Sequence, residues 1–375
     1  MGVHPKGTQV LPIHVFGFVA LVALVAFAAS AVGPGGAHAA CREMPQSGVE
    51  AGVRWLGEES DSAALAAWCA AVGTPVLAAP REALAAAGPI SRLVVVSWNV
   101  KGGAGALERL IDELRRGELT DGEPAGHFAL LLQEAVRVGG SVPAAPGPDA
   151  VSARAIGAGT DRARSVEAVA ARTGLFVFYA PSMRNGAGLR EDRGNAILST
   201  LPLADPVVIE LPYERQRRAA VTARIALPVA DGESVPLRLV SAHFDNTSSG
   251  ARFWRSFGRG RARQARGLLE VLPEDEWVVL GGDLNTWFGE AGEEAVALLS
   301  GRLAQPRIIP DVDTYSPPYG LLHRQTDYLL ASLPEGWQTG YQVAGDWRNS
   351  DHAPLVGWLE PPPRAVVSGQ AAKEE

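Results

Sequence analysis

The sequence predicts an α/β protein in which two mixed β-sheets pack face to face with helices outside. Several short runs are wholly apolar, as buried strands are, and residues 219–227 alternate between apolar and polar side chains, as a half-exposed antiparallel strand does. Helical spacing is confined to a few segments, and the chain contains no internal repeat. Together these patterns favour strands over helices as the main structural elements.

Length and composition are those of a globular protein with a large core. The chain has 375 residues, of which 47% are hydrophobic and 20% are charged, enough for one large domain or two ordinary ones. The formal net charge of −7 disfavours a general polyanion-binding protein. Any affinity for nucleic acid therefore has to come from a local basic patch.

Residues 1–39 have the pattern of an export signal. Lys6 precedes an apolar, alanine-rich run over residues 15–29, and residues 37–39 fit a small-x-small cleavage site. The alternative is a retained membrane anchor, because residues 11–32 are almost long enough to span a bilayer. We expect a secreted or periplasmic, cell-envelope protein, with an N-terminally anchored one as the alternative.

Residues 40–90 form a preface to the main domain, and helical spacing over residues 62–72 predicts a helical arm within it. The preface also holds the two cysteines of the chain, Cys41 and Cys69. In an exported protein two cysteines most simply pair with each other. Two unrelated thiols are the alternative.

The main domain is predicted over residues 91–360 and begins with strand and helix signals in alternation. Residues 93–100 and 128–136 are apolar runs that predict buried strands, and residues 107–114 between them have helical spacing. Residues 139–160 are rich in Gly, Ala and Pro, which predicts a long surface loop. A helix is predicted to follow over residues 164–173.

The second part of the domain consists mainly of strands. The alternating run over residues 219–227 predicts an antiparallel strand, and residues 261–272 predict a helix. Residues 361–375 are polar and begin with proline, which predicts a disordered tail. The other predicted strands are 176–181, 194–200, 206–211, 237–244, 277–284, 327–331 and 354–359.

Polar side chains capable of chemistry lie at the ends of these predicted strands. Asn99 ends the first strand, Glu134 the second, and His243 a later one, while Asp283 and Asn285 follow an apolar run closed by two glycines. Because the carboxyl ends of neighbouring strands meet at one edge of a sheet, we expect these side chains to converge. Amides, carboxylates and imidazoles gathered in this way form metal-assisted hydrolytic sites.

Two later segments add an imidazole and its candidate partner. His352 follows Asp351 just before the last strand, and Asp327 begins a neighbouring apolar run. A histidine needs an orienting partner to act as an acid or base near neutral pH. Each residue also has a purely structural interpretation, as a turn residue, an exposed acid or a structural histidine. The prediction therefore depends on the whole set.

A dinucleotide-binding turn is the rival interpretation of the first strand and the glycines that follow it. Glu108 occupies the third glycine position of that fingerprint, and the alternating strands do not fit a doubly wound parallel sheet. The sequence also contains no phosphate-binding loop ending in Gly-Lys-Ser or Gly-Lys-Thr and no His-Glu-x-x-His motif.

Over residues 93–359 the ordered segments resemble the endonuclease/exonuclease/phosphatase superfamily, whose members are DNase I-like. The resemblance implies a four-layer α/β sandwich that cleaves phosphate esters with Mg²⁺ or Mn²⁺. It also implies a metal site in which Glu134 is the principal ligand, with Asn99 and Asp351 beside it.

The same resemblance implies catalytic roles for the remaining residues. Asp283 and Asn285 match the pair that orients the water and stabilises the pentacovalent phosphorus. His352 matches the catalytic histidine and Asp327 the residue that holds it. His243 matches a histidine that contacts the phosphate, and the supporting structural motif is matched at Asn195.

A basic segment over residues 246–269 bears on the substrate, since it contains six arginines and no acid, with aromatic residues interleaved. Arg252, Arg255 and Arg259 are its candidate substrate-binding residues, and they favour a nuclease. A solvated helix face is the bland alternative. The other functional alternatives are a sphingomyelinase-like lipid phosphodiesterase and a non-catalytic phosphate-binding module. No obligate protein partner is inferred.

Overall fold

The computed structural model describes a large part of the chain, in ranges that are separated by several gaps. Cys41, Arg252, Arg255, the predicted export signal and residues 363–375 of the predicted tail lie outside the described residues. The described ranges are 52–57, 62–81, 88–144, 152–156, 161–229, 233–246, 258–286, 292–303, 307–308, 313–316 and 324–362.

Fifteen strands and five α-helices are present in the described ranges, together with a 3₁₀ turn at Arg162–Arg164. The helices are α1 (Ser62–Ala70), α2 (Leu107–Arg115), α3 (Val166–Thr173), α4 (Arg259–Val271) and α5 (Glu294–Arg302). The strands are β1 (Arg54–Gly57), β2 (Val76–Ala78), β3 (Leu93–Asn99), β4 (Phe128–Val138), β5 (Ser152–Ala153), β6 (Phe176–Asn185), β7 (Glu191–Ser199), β8 (Ala204–Glu210), β9 (Ala219–Pro228), β10 (Ser234–His243), β11 (Trp277–Asp283), β12 (Arg307–Ile308), β13 (Asp327–Ser332), β14 (Gln338–Val343) and β15 (Leu355–Glu360).

The strands form two mixed sheets. The first sheet has seven strands in the order β1-β8-β9-β10-β11-β13-β12, and the second has eight, in the order β14-β15-β3-β4-β7-β6-β2 with β5 paired to β6. Each sheet contains a central parallel pair, β10 with β11 and β3 with β4. The carboxyl ends of a parallel pair meet at the same edge of a sheet. Asn99, His243 and Asp283 are the last residues of β3, β10 and β11, so each lies at such an edge.

Apolar residues fill three layers, which confirms the predicted sandwich. One core lies between the sheets and includes Val95 and Leu131 of the second sheet and Val279 of the first. A second core joins the second sheet to α2 and α3, and a third joins the first sheet to α4 and α5. The arrangement is therefore helix, sheet, sheet, helix.

The preface contributes a strand to each sheet, which the sequence did not indicate. β1 pairs in parallel with β8, and β2 pairs antiparallel with β6. The predicted helix is present as α1, and Cys69 within it is disulfide-bonded, while the pairing with Cys41 stays a prediction. Strands this short carry too few residues to show a period of two. For the same reason the sequence missed the short β5 and β12.

Strands β6 and β7 extend further than predicted, through charged residues that a sequence pattern assigns to loops. β7 begins at Glu191 rather than at residue 194, and β6 continues to Asn185. The reason is local pairing, because Arg137 of β4 forms a buried ion pair with Asp192 of β7. Among the described helices, none is long and apolar enough to cross a bilayer.

Candidate active site

Three predicted residues lie in one row across the first sheet. His243 of β10 is paired in register with Asp283 of β11, and Asp283 is paired with Asp327 of β13. Residues opposite each other on neighbouring strands project to the same face of a sheet. Because β13 runs antiparallel to β11, its first residue lies at the edge where β10 and β11 end.

The Asp283 carboxylate is the central group of the site and is only 1% exposed. Asn99 Nδ2 donates to its Oδ2 at 2.9 Å. The Nε2 atoms of His243 and His352 lie 3.3 Å and 3.7 Å from the same oxygen. Burial raises the pKa of Asp283 to about 6, with a further rise from Asp327 that His352 opposes.

His352 is held by Asp327, as the sequence predicted for this pair. The two are joined at 2.8 Å between His352 Nδ1 and Asp327 Oδ2, which also accepts a hydrogen bond from Thr326 Oγ1 at 2.9 Å. Burial alone would lower the pKa of His352, but the carboxylates of Asp327 and Asp283 raise it to about 10. This contact leaves Nε2 of the ring directed at Asp283.

The chain around His352 is tied to the end of β3. Trp98 Nε1 donates to the His352 carbonyl at 2.9 Å, and Ser350 Oγ donates to the Asn99 carbonyl at 2.6 Å. Ser350 Oγ in turn accepts from the His352 amide at 3.1 Å. These bonds join the second sheet to the loop that carries the imidazole, so the two sheets share one site.

Glu134 reaches this edge through a β-bulge. The register between β4 and β7 shifts between Leu132 and Ala135, both of which pack in the outer core of the second sheet. Glu134 is the extra residue, and its φ of 53° is in the left-handed region. Bulges re-aim side chains next to functional sites. The carboxylate is half-buried and makes no hydrogen bond or ion pair within the described part of the chain.

The donor set fits a divalent cation. Ligand atoms of Asp283, Asp327 and His352 all lie within 4.8 Å of one another. Of the described side chains, none donates to the buried Oδ1 of Asp327, and the Glu134 carboxylate is likewise unpaired. Unpaired carboxylate oxygens are the ligands that Mg²⁺ and Mn²⁺ prefer.

The other two predicted metal ligands, Asn99 and Asp351, each already have a partner. Asn99 Oδ1 accepts from the Lys101 amide at 2.9 Å. Asp351 is half-buried, with its Oδ2 3.5 Å from Lys101 Nζ. Both lie at the site, but Lys101 competes with a cation for their oxygens.

The two predicted asparagines differ in position. Asn285 has a φ of 52°, its amide donates to Asp283 Oδ1 at 2.9 Å, and its Nδ2 donates to the Phe244 carbonyl at 3.0 Å. Asn195 lies between the sheets, where its Nδ2 donates to the carbonyls of Ala219 and Ser241. Asn285 therefore belongs to the site, whereas Asn195 holds the sheets together beneath it.

Arg218 is a site residue that the sequence analysis missed. Its Nη1 lies 3.1 Å from His243 Nδ1. Burial and the Arg218 charge lower the pKa of His243 well below its usual value. Since a guanidinium can only donate, Nδ1 accepts and the ring proton is on Nε2, facing Asp283. The neighbouring Arg217 pairs with Glu210 instead, and nothing in the sequence distinguishes the two arginines.

Tyr315 is a second residue that the sequence did not indicate. Its ring centroid lies 4.8 Å from that of His352, and the Arg324 guanidinium lies 5.5 Å from the Tyr315 ring. Tyr315 forms isolated bridges with both residues rather than a strand. The surrounding sequence therefore contains no strand pattern by which it could have been found.

The basic segment is less available to a substrate than its composition suggested. Arg259 is exposed in the first turn of α4. Three of the remaining arginines already form ion pairs, which favours a helix face balanced by acids over a free basic surface. These pairs are Arg261 with Glu293, Arg263 with Glu214 and Arg266 with Glu294.

Comparison with known proteins gave one family match. The profile of the Endonuclease/Exonuclease/phosphatase family matches residues 96–352. No curated protein matches the chain.

Several solved structures are similar at low identity. An endonuclease/exonuclease/phosphatase from Beutenbergia cavernae DSM 12333 is 19% identical, with a TM-score of 0.49 over 73% of this chain and 72% of that one. The human Nocturnin catalytic domain with bound sulfate is 15% identical, with a TM-score of 0.45 over 73% of this chain and 96% of that one. Sphingomyelinase C from Streptomyces griseocarneus is 16% identical, with a TM-score of 0.41 over 72% of this chain and 99% of that one.

Proposed function

Because the chain belongs to the endonuclease/exonuclease/phosphatase family, whose members hydrolyse phosphoesters, we propose that it is a divalent-metal-dependent phosphodiesterase that cleaves nucleic acid. The observation that carries this proposal is the Asp283 carboxylate, shared by Asn99 and two imidazoles. One of those imidazoles is itself held by a second carboxylate. A carboxylate and imidazoles held in this way can position a water and stabilise developing charge during in-line attack on a phosphoester, which supports the proposal.

Glu134 would hold the cation, together with Asn99 and Asp351 as the sequence predicted or with the nearby Asp283. The lack of a partner for the Glu134 carboxylate among the described residues supports this assignment most strongly. When bound, Mg²⁺ or Mn²⁺ neutralises phosphate charge and stabilises the charge that develops during displacement.

The protein's own residues position the reacting groups. Asp283 accepts hydrogen bonds, so it orients a water, and the Asn285 amide lies beside it. His243 presents an Nε2–H, which can donate to a phosphate oxygen. His352, fixed through Nδ1 by Asp327, presents Nε2 to exchange a proton with the entering or leaving oxygen.

Export is a separate proposal, supported by the apolar run and cleavage pattern of residues 1–39. These residues lie outside the described ranges. Fractionation of cells expressing the full chain, followed by determination of the mature N-terminus, distinguishes cleavage from a retained anchor.

The proposed activity is tested with plasmid DNA, RNA, sphingomyelin and bis-p-nitrophenyl phosphate, each with Mg²⁺ and with EDTA. We expect EDTA-sensitive cleavage of nucleic acid and of bis-p-nitrophenyl phosphate. Release of phosphocholine from sphingomyelin without nucleic-acid cleavage would instead identify a lipid phosphodiesterase. Inactivity toward all four substrates would favour the non-catalytic module.

A further inference from the structure

Arg218 is a buried cation that forms no ion pair with a carboxylate of the described residues. It is only 5% exposed, and the one hydrogen bond between its guanidinium and a described residue is that between Nη1 and His243 Nδ1. Its Nε is buried and has no partner among the described residues. Burying a charge without an opposite charge or a full set of hydrogen bonds is costly, so this arrangement needs an explanation.

The other buried arginines of the described chain show how this protein normally satisfies such a group. Arg184 donates to main-chain carbonyls, and five others pair with a carboxylate. These pairs are Arg137 with Asp192, Arg217 with Glu210, Arg238 with Glu276, Arg261 with Glu293 and Arg348 with Glu113.

Arg193, like Arg184 and Arg218, is a buried arginine that forms no ion pair within the described ranges. It is 8% exposed, and its Nη1 donates to Asn185 Oδ1 at 3.1 Å. Arg193 precedes Asn195 by two residues on β7, and Asn195 donates to the carbonyl of Ala219, the residue after Arg218. The two cations therefore lie near each other, and both act electrostatically on His243.

We propose that Arg218 and Arg193 form an anion subsite that takes a second phosphate group of the substrate, beside the phosphate that is cleaved. Arg218 contacts one side of the His243 ring, and Asp283 faces the other side. An anion bound by Arg218 is thus separated from the reacting centre by one imidazole ring. Guanidinium groups bind phosphate through paired N–H donors, and the unpartnered Nε–H of Arg218 would be one of such a pair.

The subsite presupposes the proposed phosphodiesterase and narrows its substrate to one with adjacent phosphates. A polynucleotide meets this requirement because every nucleotide carries a phosphate. A lipid headgroup that ends in a quaternary ammonium does not, since it would bring a positive charge to two buried cations.

A structural role for Arg218 is the competing explanation. Asp245 is buried, its Oδ1 has no partner among the described residues, and its charge stabilises the charged form of Arg218. A water between Asp245 and Arg218 would satisfy both groups. In that case Arg218→Lys and Asp245→Asn would destabilise the protein alike and leave substrate selection unchanged.

Equilibrium binding of matched trinucleotides separates these explanations. The probes are dTpdTpdT and its two analogues in which one phosphate is a neutral methylphosphonate, so length and bases are constant. A His352→Ala background with Mg²⁺ suppresses turnover, and chromatography verifies that the probes stay intact. Because binding is measured without turnover, a protein that does not hydrolyse phosphodiesters can still show the subsite. Failure of the proposed hydrolysis is therefore distinguishable from failure of the subsite.

We expect the background protein to bind dTpdTpdT at least about tenfold more tightly than one of the analogues. Adding Arg193→Met or Arg218→Lys should reduce this ratio to below about threefold, while Arg116→Gln, which removes an exposed charge directly after α2, should preserve it. Using two subsite variants guards against one that fails to fold, as thermal unfolding would reveal. Equal affinity of the background protein for all three probes, or an unchanged ratio in both variants, would overturn the subsite.

Discussion

Two buried ionic clusters lie on opposite faces of the second sheet and differ in how their charged groups are paired. The paired cluster consists of Arg137, Asp192 and Tyr179 on the outer face. The site cluster consists of Glu134 and the side chains of Asp283, Asp327, His243 and His352 between the sheets. In the paired cluster Asp192 accepts hydrogen bonds from Arg137, from the Tyr179 hydroxyl and from the Gly73 amide.

The site cluster leaves some of its carboxylate oxygens without a partner among the described residues. Asp327 Oδ1 and the Glu134 carboxylate have no partner among the described residues, and Asp283 has a pKa raised to about 6 by burial. A cluster whose charges satisfy one another holds the fold, whereas perturbed and unsatisfied groups at strand ends are typical of a functional site. This difference distinguishes the charges that stabilise the fold from those that are available to bind a ligand.

Asp283→Asn should have the largest effect on activity. We expect phosphodiester hydrolysis to fall by about a thousandfold or more, because the variant loses the carboxylate oxygen to which Asn99 donates and which both imidazoles face. Thermal stability should stay the same or rise, since like-charge repulsion with Asp327 is removed. Steady-state kinetics and thermal unfolding of the same preparation measure both. A large loss of stability would place Asp283 with the fold-holding charges.

Asp192→Asn should give the opposite result. It leaves Arg137, which is 1% exposed, without its carboxylate, and breaking a buried pair costs about 3–5 kcal/mol. The free energy of unfolding in urea should fall by that amount, while kcat per folded molecule stays close to the wild-type value. If catalysis fell as far as stability, the two clusters would not be functionally separate.

Metal binding should stabilise the protein through the site cluster alone. At ten to a hundred times the dissociation constant, Mn²⁺ should raise the free energy of unfolding by about 1.4–2.7 kcal/mol. Glu134→Gln should remove this increment, and Asp192→Asn should keep it even though its baseline is lower. Calorimetric unfolding with and without the ion is the measurement. If Mn²⁺ raised the free energy of unfolding of Glu134→Gln by the full amount, the ion would be bound by other residues.

Glu191 provides a pH-dependent effect away from the site and sharpens the comparison. Burial raises its pKa from 4.5 to about 7, so between these values the folded state binds more protons than the unfolded state. Stability should therefore fall as pH rises through this window, by at most about 1.4 kcal/mol per pH unit. Urea unfolding across the window should show a shallower decline for Glu191→Gln. An identical decline in both proteins would mean that Glu191 titrates normally.

The sequence was sufficient for residues whose position depends on strand ends. His243 and Asp283 close apolar runs that became neighbouring parallel strands, and Asp327 opens the next strand of the same sheet. Register between strands then brought them into one row. The sandwich followed from the same apolar runs, since their side chains had to be buried on both faces.

The sequence was insufficient where a residue's position depends on distant partners. Strict alternation along β4 would place Glu134 on the outer face with Leu130 and Leu132, and only the bulge re-aims it. Arg217 and Arg218 are chemically identical neighbours, and the fold alone assigns one to Glu210 and the other to His243. Neither distinction is contained in a local pattern.

The most direct test of the active site is hydrolysis of bis-p-nitrophenyl phosphate by EDTA-treated protein before and after addition of Mg²⁺. Wild-type protein should be inactive with EDTA and recover with Mg²⁺, and folded His352→Ala should remain inactive under both conditions. Turnover that ignores EDTA, or near wild-type turnover by His352→Ala, would contradict the assignment of this site to metal-dependent phosphoester hydrolysis.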